Sequence, residues 1–549
     1  MAYTLKFLGK SKSFTVPVSL KTLVPENDQF KYFVAKVDNR VRDLDYVVSK
    51  DAEIEFLTLK DPDAVRTYET SLRYLLAMAF HNLDSKLRVR FSYNVSRSIF
   101  VQILSKGTIA HNSLVRALFL EMKRIVDLNL PLTRHKVNLE KMKEIYVETG
   151  ESDKVDILNY RPEKTAHYYK CGDYFNYMNG IMVPSTGYLT QWELRLYAPG
   201  ILVQYPRAEE GGRIPEFEDA PTYGKTLKQS YKWAVISGSD TVPNLNKMIK
   251  NDGEIDFINI SENLHNRQLC ELGEIVEKSI QDIRLICIAG PSSSGKTTFS
   301  NRLRTELLSR GIKPIRLSID DYYLPRHKAP KDELGEPDLE SIYALDIELF
   351  NQNMADLIAG DEVQLPKFDF KIGKRVPGRT LKVPLDQPII IEGIHALNDQ
   401  LTHLIPRHQK FKIYIAPQMQ MNYDLHNPIS LTDLRLLRRM VRDFKYRNAS
   451  AIETMKMWSS VRKGEFKWIY PNQEGANYVY NSFLPYELCI MKKYALPLLQ
   501  DIKESSEYFP VAERLIRMLK FFIDLDDTWI PCNSLIREFI GGSAYADAD

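Results

Sequence analysis

Apolar residues fall along this chain in three successive patterns. Up to about residue 60 the spacing is strand-like: Phe33-Val34-Ala35-Lys36-Val37 runs into a turn at Asp38-Asn39, and Ala52, Ile54 and Phe56 alternate with Glu53 and Glu55. Period-two alternation buries one face of a pleated strand and wets the other, so a small β-rich module is predicted. From about 62 to 207 strand and helix periods mix, and Leu72, Leu75, Leu76 and Ala79 mark a helix with one apolar face. Glu209-Glu210-Gly211-Gly212-Arg213-Ile214-Pro215 reads as a linker or a long surface loop. Residues 261–280 predict a connecting helix, with Ser261 placed to cap it and Leu269, Leu272 and Val276 along one side. From about 283, apolar runs alternate with helical segments, as parallel strands joined by crossover helices would. The predicted divisions are 1–60, 61–225, a connector at 226–282, and 283–549.

The third pattern carries the most specific chemistry. Leu285-Ile286-Cys287-Ile288-Ala289 reads as a buried strand, and Phe299, Leu303 and Leu307 recur every four residues up to Gly311, a helix with a glycine stop. Between them stands Gly290-Pro291-Ser292-Ser293-Ser294-Gly295-Lys296-Thr297, which fits the phosphate-loop pattern G-x-x-x-x-G-K-[ST]. Glycines let the backbone curl around a phosphate chain, and consecutive N–H groups at a helix start supply positive potential. Lys296 would reach the outer phosphates and Thr297 would hold Mg²⁺, with Thr298 beside them in the nucleotide-binding set. ATP and Mg²⁺ are therefore the expected cofactors.

Two further apolar runs end in acids. Pro314-Ile315-Arg316-Leu317-Ser318-Ile319 is predicted as a second strand beside the first, followed by Asp320-Asp321-Tyr322-Tyr323. An aspartate at that strand end either accepts the proton of an attacking hydroxyl or caps a turn. Pro388-Ile389-Ile390-Ile391 leads to Glu392-Gly393, the usual place for a carboxylate near nucleotide-bound Mg²⁺, with His395 a packing residue or a support for the site residues rather than a base. Arg435, Arg438, Arg439, Arg442 and Arg447 surround Asp443. On a helix, 435, 439 and 442 share a face, giving either an arginine-lined lid over a triphosphate or a solvated basic surface.

Composition narrows the classes. At 549 residues the chain should hold roughly three domains. Its 44% hydrophobic and 26% charged residues are those of an ordinary globular protein, and a formal charge of +3 gives no support for a nucleic-acid or membrane surface. No window approaches the ~20 apolar residues of a membrane helix. The opening Met-Ala-Tyr-Thr-Leu-Lys lacks the order of a secretory signal. Five scattered cysteines, Cys171, Cys270, Cys287, Cys489 and Cys532, suggest a reducing cytoplasm.

Taken in order, the phosphate loop, Ser318-Ile319-Asp320-Asp321-Tyr322-Tyr323, Pro366-Lys367-Phe368-Asp369-Phe370, Ile391-Glu392-Gly393-Ile394 and Arg438-Arg439-Met440-Val441-Arg442-Asp443 resemble the uridine kinase/phosphoribulokinase family over roughly 283–450. The resemblance implies a P-loop kinase domain of α/β class, a parallel sheet flanked by helices, acting on a nucleoside-like hydroxyl. It makes Asp320 the general base, Lys296 the phosphate lysine, Thr297 and Glu392 the Mg²⁺ groups, and Arg438, Arg439 and Arg442 the lid. The sugar-binding carboxylate falls at Asp338 or Glu340, depending on how the segment is anchored, and Asp338 is the one chosen, with Tyr322, Phe368 and Arg375 nearby. Uridine kinases read their base with a tyrosine and a histidine where this chain has Phe368 and Gly373, which removes those paired contacts and leaves the acceptor open.

The first half resembles two modules of threonyl-tRNA synthetase. Lys36-Val37-Asp38 with Asp43-Leu44-Asp45 is similar to the TGS module, and Tyr74-Leu75-Leu76-Ala77, Cys171-Gly172-Asp173 and Val183-Pro184-Ser185-Thr186-Gly187 to the α+β editing domain. At the four positions of that domain's metal-type ligands this chain has Thr70, Tyr74, Met178 and Met182, which cannot replace imidazole and thiolate. The fold is expected without the editing chemistry. Kinase action on a small hydroxyl compound leads, a tRNA-binding, nucleotide-dependent regulator is the alternative, and trans-editing of mischarged tRNA comes last. A homo-oligomer is compatible with all three.

Overall fold

Ala52, Ile54 and Phe56 point into a core while Glu53 and Glu55 face water, in a strand spanning Ala52–Leu57. The computed structural model describes residues 2–93, 95–105, 107–332, 335–369 and 372–545. Met1 and Phe370, both part of patterns read above, lie outside the described residues. In space the first sheet runs Lys10–Phe14, Tyr3–Phe7, Ala52–Leu57, Val34–Val37, Arg40–Arg42. Its predicted turn closes a two-residue hairpin, with Asp38 and Asn39 at φ +46° and +60°, the left-handed pair whose twist matches the flanking strands.

The helix Pro62–Leu83 departs from the single apolar face expected of it. Every residue from Thr67 to Phe80 is buried, so its polar positions must satisfy one another: Arg73 Nε donates to Glu69 Oε1 at 2.7 Å one turn away. Around it stand a four-stranded antiparallel sheet ordered Glu193–Tyr197, Gly200–Gln204, Ile99–Ile103, Val89–Tyr93 and a three-stranded one ordered Thr133–Asn138, Thr165–Cys171, Tyr174–Asn176.

Residues 209–215 form a surface loop, its base closed by a bridge between Arg207 and Arg213 and its glutamates paired with Arg97. The helix Glu254–Lys278 begins seven residues before the predicted start. Ser261 is therefore not its cap: buried in mid-helix, its hydroxyl donates to the Phe257 carbonyl at 2.8 Å.

The C-terminal sheet is parallel throughout, in the order Ile315–Ser318, Ile389–Glu392, Leu285–Ala289, Lys410–Ala416, Tyr478–Asn481. The strand leading to Asp320 is thus not the neighbour of the phosphate-loop strand as expected; Ile389–Glu392 lies between them. Alternate side chains of Leu285–Ala289 enter two cores. Ile286 and Ile288 meet Phe299, Leu303 and Leu307 on one face, and Leu285, Cys287 and Ala289 meet Phe350, Met354 and Leu357 on the other. Burial on both faces explains the unbroken apolar run.

The two halves of the chain meet through buried polar groups. Lys154 Nζ stands 2.8 Å from Asp424 Oδ1, their side chains 1% and 0% exposed. Arg90 Nη2 donates to the Gln420 carbonyl at 2.7 Å and to Asn422 Oδ1 at 3.0 Å.

Candidate active site

Strand register brings the acids to the phosphate loop. Glu392 is paired with Ile288 on one side and Ser318 on the other, so at the carboxyl edge of the sheet it stands between the loop opening at Gly290 and the turn carrying Asp320. Open parallel sheets bind ligands along this edge. The loop takes the tight form its glycines permit. A Cβ at Gly290 would lie 1.9 Å from the Ile415 carbonyl oxygen, and Gly295 turns at φ +89° into the helix Lys296–Ser309.

Lys296 folds over the loop, its Nζ donating to the carbonyls of Gly290 at 3.0 Å and Pro291 at 3.3 Å. Burial lowers its pKa, against the pull of Glu392, Asp320 and Glu538. Asp320 opens onto the cleft, and the protein crowded around that cleft raises its carboxyl above the ordinary range, with Lys296 and Arg447 opposing. Glu392 is pushed up to about 7 by burial, and Asp320 adds repulsion. His395 is packed edge-on against Trp468 and held down at about 4 by burial, which agrees with a packing role.

The arginine helix, Leu431–Arg447, is a wall rather than a lid. Leu434, Leu437 and Met440 are wholly buried along it. Arg435 donates to the Ser292 carbonyl at 3.1 and 2.9 Å and pairs with buried Glu465. Arg438 is fully buried, bonded to Glu487 Oε2 at 2.7 Å and the Ser293 carbonyl at 3.3 Å, so it does not project over a nucleotide as expected. Its partner Glu487 is pushed up to about 7 by burial, with Arg438 opposing. Arg439 Nη1 reaches Ser292 Oγ at 2.7 Å. These three brace the loop. Arg442 bonds Asp443 at 3.0 and 2.8 Å, and the Arg442 guanidinium holds its neighbour Arg447 down at about 10. Arg442 and Arg447 are the members of the cluster whose charge bears on Asp320.

The expected acceptor residues separate. Glu340 is recessed, with burial pushing it up to about 7 against Arg439 and Lys296, and it packs on Gly464. Asp338, the carboxylate chosen from sequence, instead accepts the Glu340 N–H at 3.2 Å in a turn, which leaves Glu340 as the carboxylate facing Arg439 and Lys296. Tyr322 points away from the cleft, a correction to its expected place: it is buried, its hydroxyl accepting from Asn353 at 3.1 Å and its ring edge-on to Phe350. A residue the sequence reading passed over, Tyr323, takes that position. Its ring lies 5.9 Å from Phe368, its hydroxyl donates to the Leu339 carbonyl at 3.1 Å, and Asp320 and Glu340 bear on its phenol. Phe368 and Arg375 face each other across a hairpin, with Arg375 2.9 Å from Asp346. Gly373 turns at φ +65° against Arg326.

Glu538 was equally invisible to pattern. The Thr298 N–H, third in the loop helix, donates to Glu538 Oε2 at 3.0 Å, and Leu535 packs where a side chain on Gly295 would go. A carboxylate of the chain itself thus sits where a helix start attracts anions. The buried hydroxyls of Ser293 and Ser294 have no hydrogen-bond partner, as a loop shaped for phosphate oxygens would leave them. Thr297, Glu392 and Asp320 offer the hard oxygen ligands that suit Mg²⁺.

In the first half, Thr70, Tyr74, Met178 and Met182 are all buried, the Tyr74 hydroxyl donating to the Tyr174 carbonyl at 3.0 Å. Among the described residues no cluster of His, Cys, Asp and Glu could hold a metal ion, and no helix is long and apolar enough to cross a membrane.

Comparison with known proteins agrees with both resemblances. Residues 285–484 match the Phosphoribulokinase / Uridine kinase family. A uridine kinase of Staphylococcus aureus (strain JH9) is 30% identical over 196 residues, 36% of this chain and 86% of that one. Over the N-terminal region the matches are threonine–tRNA ligases; that of Halorhodospira halophila is 26% identical over 190 residues, 34% of this chain. The chain spans only 30% of that ligase's length. A solved structure of a possible uridine kinase from Bacillus stearothermophilus shares 18% identity, covering 36% of this chain and 89% of that one at a TM-score of 0.26.

Proposed function

The chain belongs to the phosphoribulokinase/uridine kinase family, and on that premise we propose that it is a kinase that transfers a phosphoryl group from ATP to a hydroxyl of a nucleoside-like small molecule. The observation that carries this is the register placing Glu392 between the phosphate loop and the turn of Asp320. Residues 290–297 would hold the phosphates, with Thr297 and Glu392 holding Mg²⁺. Bound Mg²⁺-ATP supplies the transferable group and the divalent charge that offsets its oxygens.

The remaining work falls to side chains. Lys296 exchanges its own loop carbonyls for outer phosphate oxygens. Asp320, open to the cleft, accepts the proton of the acceptor hydroxyl as that oxygen attacks phosphorus. Arg442 and Arg447 neutralise charge beside it, while Arg435, Arg438 and Arg439 keep the loop in shape. Glu340 and Tyr323 flank the acceptor. Phe368 and Gly373 offer it no side-chain hydrogen bond, so selectivity for a uracil base is not built in.

The test is to give purified protein Mg²⁺-ATP with a panel of nucleosides, sugars and polyols and to follow ADP release. Acceptor-dependent release, lost in Lys296→Ala, is expected; release unchanged by every acceptor would remove the kinase reading. A second reading, a tRNA-binding regulator, draws on the similarity to tRNA ligases. Binding to tRNA that weakens steeply over a salt series would favour it.

A further inference from the structure

A cavity of about 200 Å³ lies between the two halves of the chain, far in sequence from the phosphate loop. Its walls come from the helix Pro62–Leu83, the segment at Asn179, the start of the arginine helix at Asp433, and the helix Phe509–Leu519. That is room for on the order of a dozen non-hydrogen atoms. Thr70 lines it, whereas Tyr74, Met178 and Met182 do not.

Arg66, Arg73, Arg514 and Arg517 line it against Asp63, Glu69, Asp433 and Glu513, yet one arginine donor on this wall has no acceptor within hydrogen-bond reach. Arg514 donates through Nε and Nη2 to Asp433 at 3.1 and 3.0 Å. Its Nη1 is buried with no hydrogen-bond partner, 3.9 Å from Asp63 Oδ1, and that oxygen already takes Arg66 at 2.8 Å. Arg517 stands 3.6 Å from Glu513, beyond hydrogen-bond range, with its side chain 44% exposed. An unbonded guanidinium donor on Arg514 beside the loosely paired Arg517 matches an oxyanion, whose oxygens fit the planar fork.

We propose that this cavity is an effector site for a small oxyanion, a carboxylate or a phosphate, which bridges Arg514 and Arg517. Its effect on the phosphate loop rests on the kinase reading above and follows from the wiring of one helix. Asp433, held by Arg514, lies in the first turn of Leu431–Arg447, capped by Ser430 at 3.2 Å. Arg435 and Arg439, further along that helix, grip Ser292. An anion that recruits Arg514 shifts its hold on Asp433 and so biases the position of the loop. Binding at one site then changes affinity at the other by the same factor in both directions.

The test uses the full chain with three probes: inorganic phosphate, succinate and glycine, each at about 10 mM. At least one is expected to raise the melting temperature and to change the affinity for a fluorescent ATP analogue by roughly fivefold or more. Both effects should vanish in Arg517→Ala, whose exposed side chain can be removed without harm to the fold, and in Arg514→Gln. No change in melting temperature with any probe, or a change that survives Arg517→Ala, would overturn the site. A probe-induced rise lost in Arg517→Ala, in a protein that binds no nucleotide, would uphold the site and sink the coupling together with the kinase reading.

Discussion

Asp320, open to a crowded cleft, and Glu392, buried, both lie above the ordinary carboxylate range; Lys296 and arginine charge oppose the rise at each, and Glu392, repelled by Asp320, reaches about 7. Affinity for Mg²⁺-nucleotide should therefore weaken as pH falls through about 7, when Glu392 takes up a proton, and a titration across that range would show it. Folding carries the opposite sign. The native state holds Glu392's proton more tightly than the unfolded chain, so metal-free stability declines as pH climbs from 4.5 to about 7. Glu392→Gln should thus be more stable than wild type above neutrality, by on the order of 1–3 kcal/mol in denaturant titration, while losing activity. Asp320→Asn should lower turnover by about 10²–10⁴-fold and leave nucleotide affinity little changed, as paired kinetic and binding assays would reveal. The loop and both acids were legible because each is fixed by a short local run. Glu538 was not, since its contact with Thr298 spans 240 residues.

Among the elements, the arginine helix shows what periodicity can and cannot say. Helical spacing puts Arg435, Arg439 and Arg442 on one face, but buried cations go where buried anions are: Arg438 joins Arg435 and Arg439 at the loop, and Glu465 and Glu487 lie 30 and 49 residues downstream of their partners. Arg438→Met would strand Glu487 in the core and should destabilise by about 3–5 kcal/mol, read by denaturant titration. Arg442→Ala, at a side chain 13% exposed whose partner Asp443 keeps Arg439 and Arg447, should cost about 1–3 kcal/mol of stability and slow turnover roughly tenfold or more. At the start of the loop helix, Glu538→Gln keeps an acceptor for the Thr298 N–H but removes a charge. Nucleotide should then bind roughly two- to fivefold tighter in a fluorescence titration, the worth of one charge at a helix terminus.

Across the whole molecule, the fold of each half could be anticipated from motifs, but their union could not: the pair of Lys154 and Asp424 joins residues 270 apart, and no local spacing announces it. Lys154→Met leaves Asp424 buried without its cation and should cost about 3–5 kcal/mol. Tryptophan fluorescence and circular dichroism should still report one coincident transition, because the contacts linking the halves are internal to the fold. The turn at Gly211 and Gly212, exposed at Gly211, lies apart from the Lys154–Asp424 pair and the Arg90 bonds. A protease that severs the backbone there should produce two polypeptides that co-elute as a single particle, in strong brine as in dilute buffer, since shielded charges escape ionic screening. Only a denaturing gel would resolve the pieces.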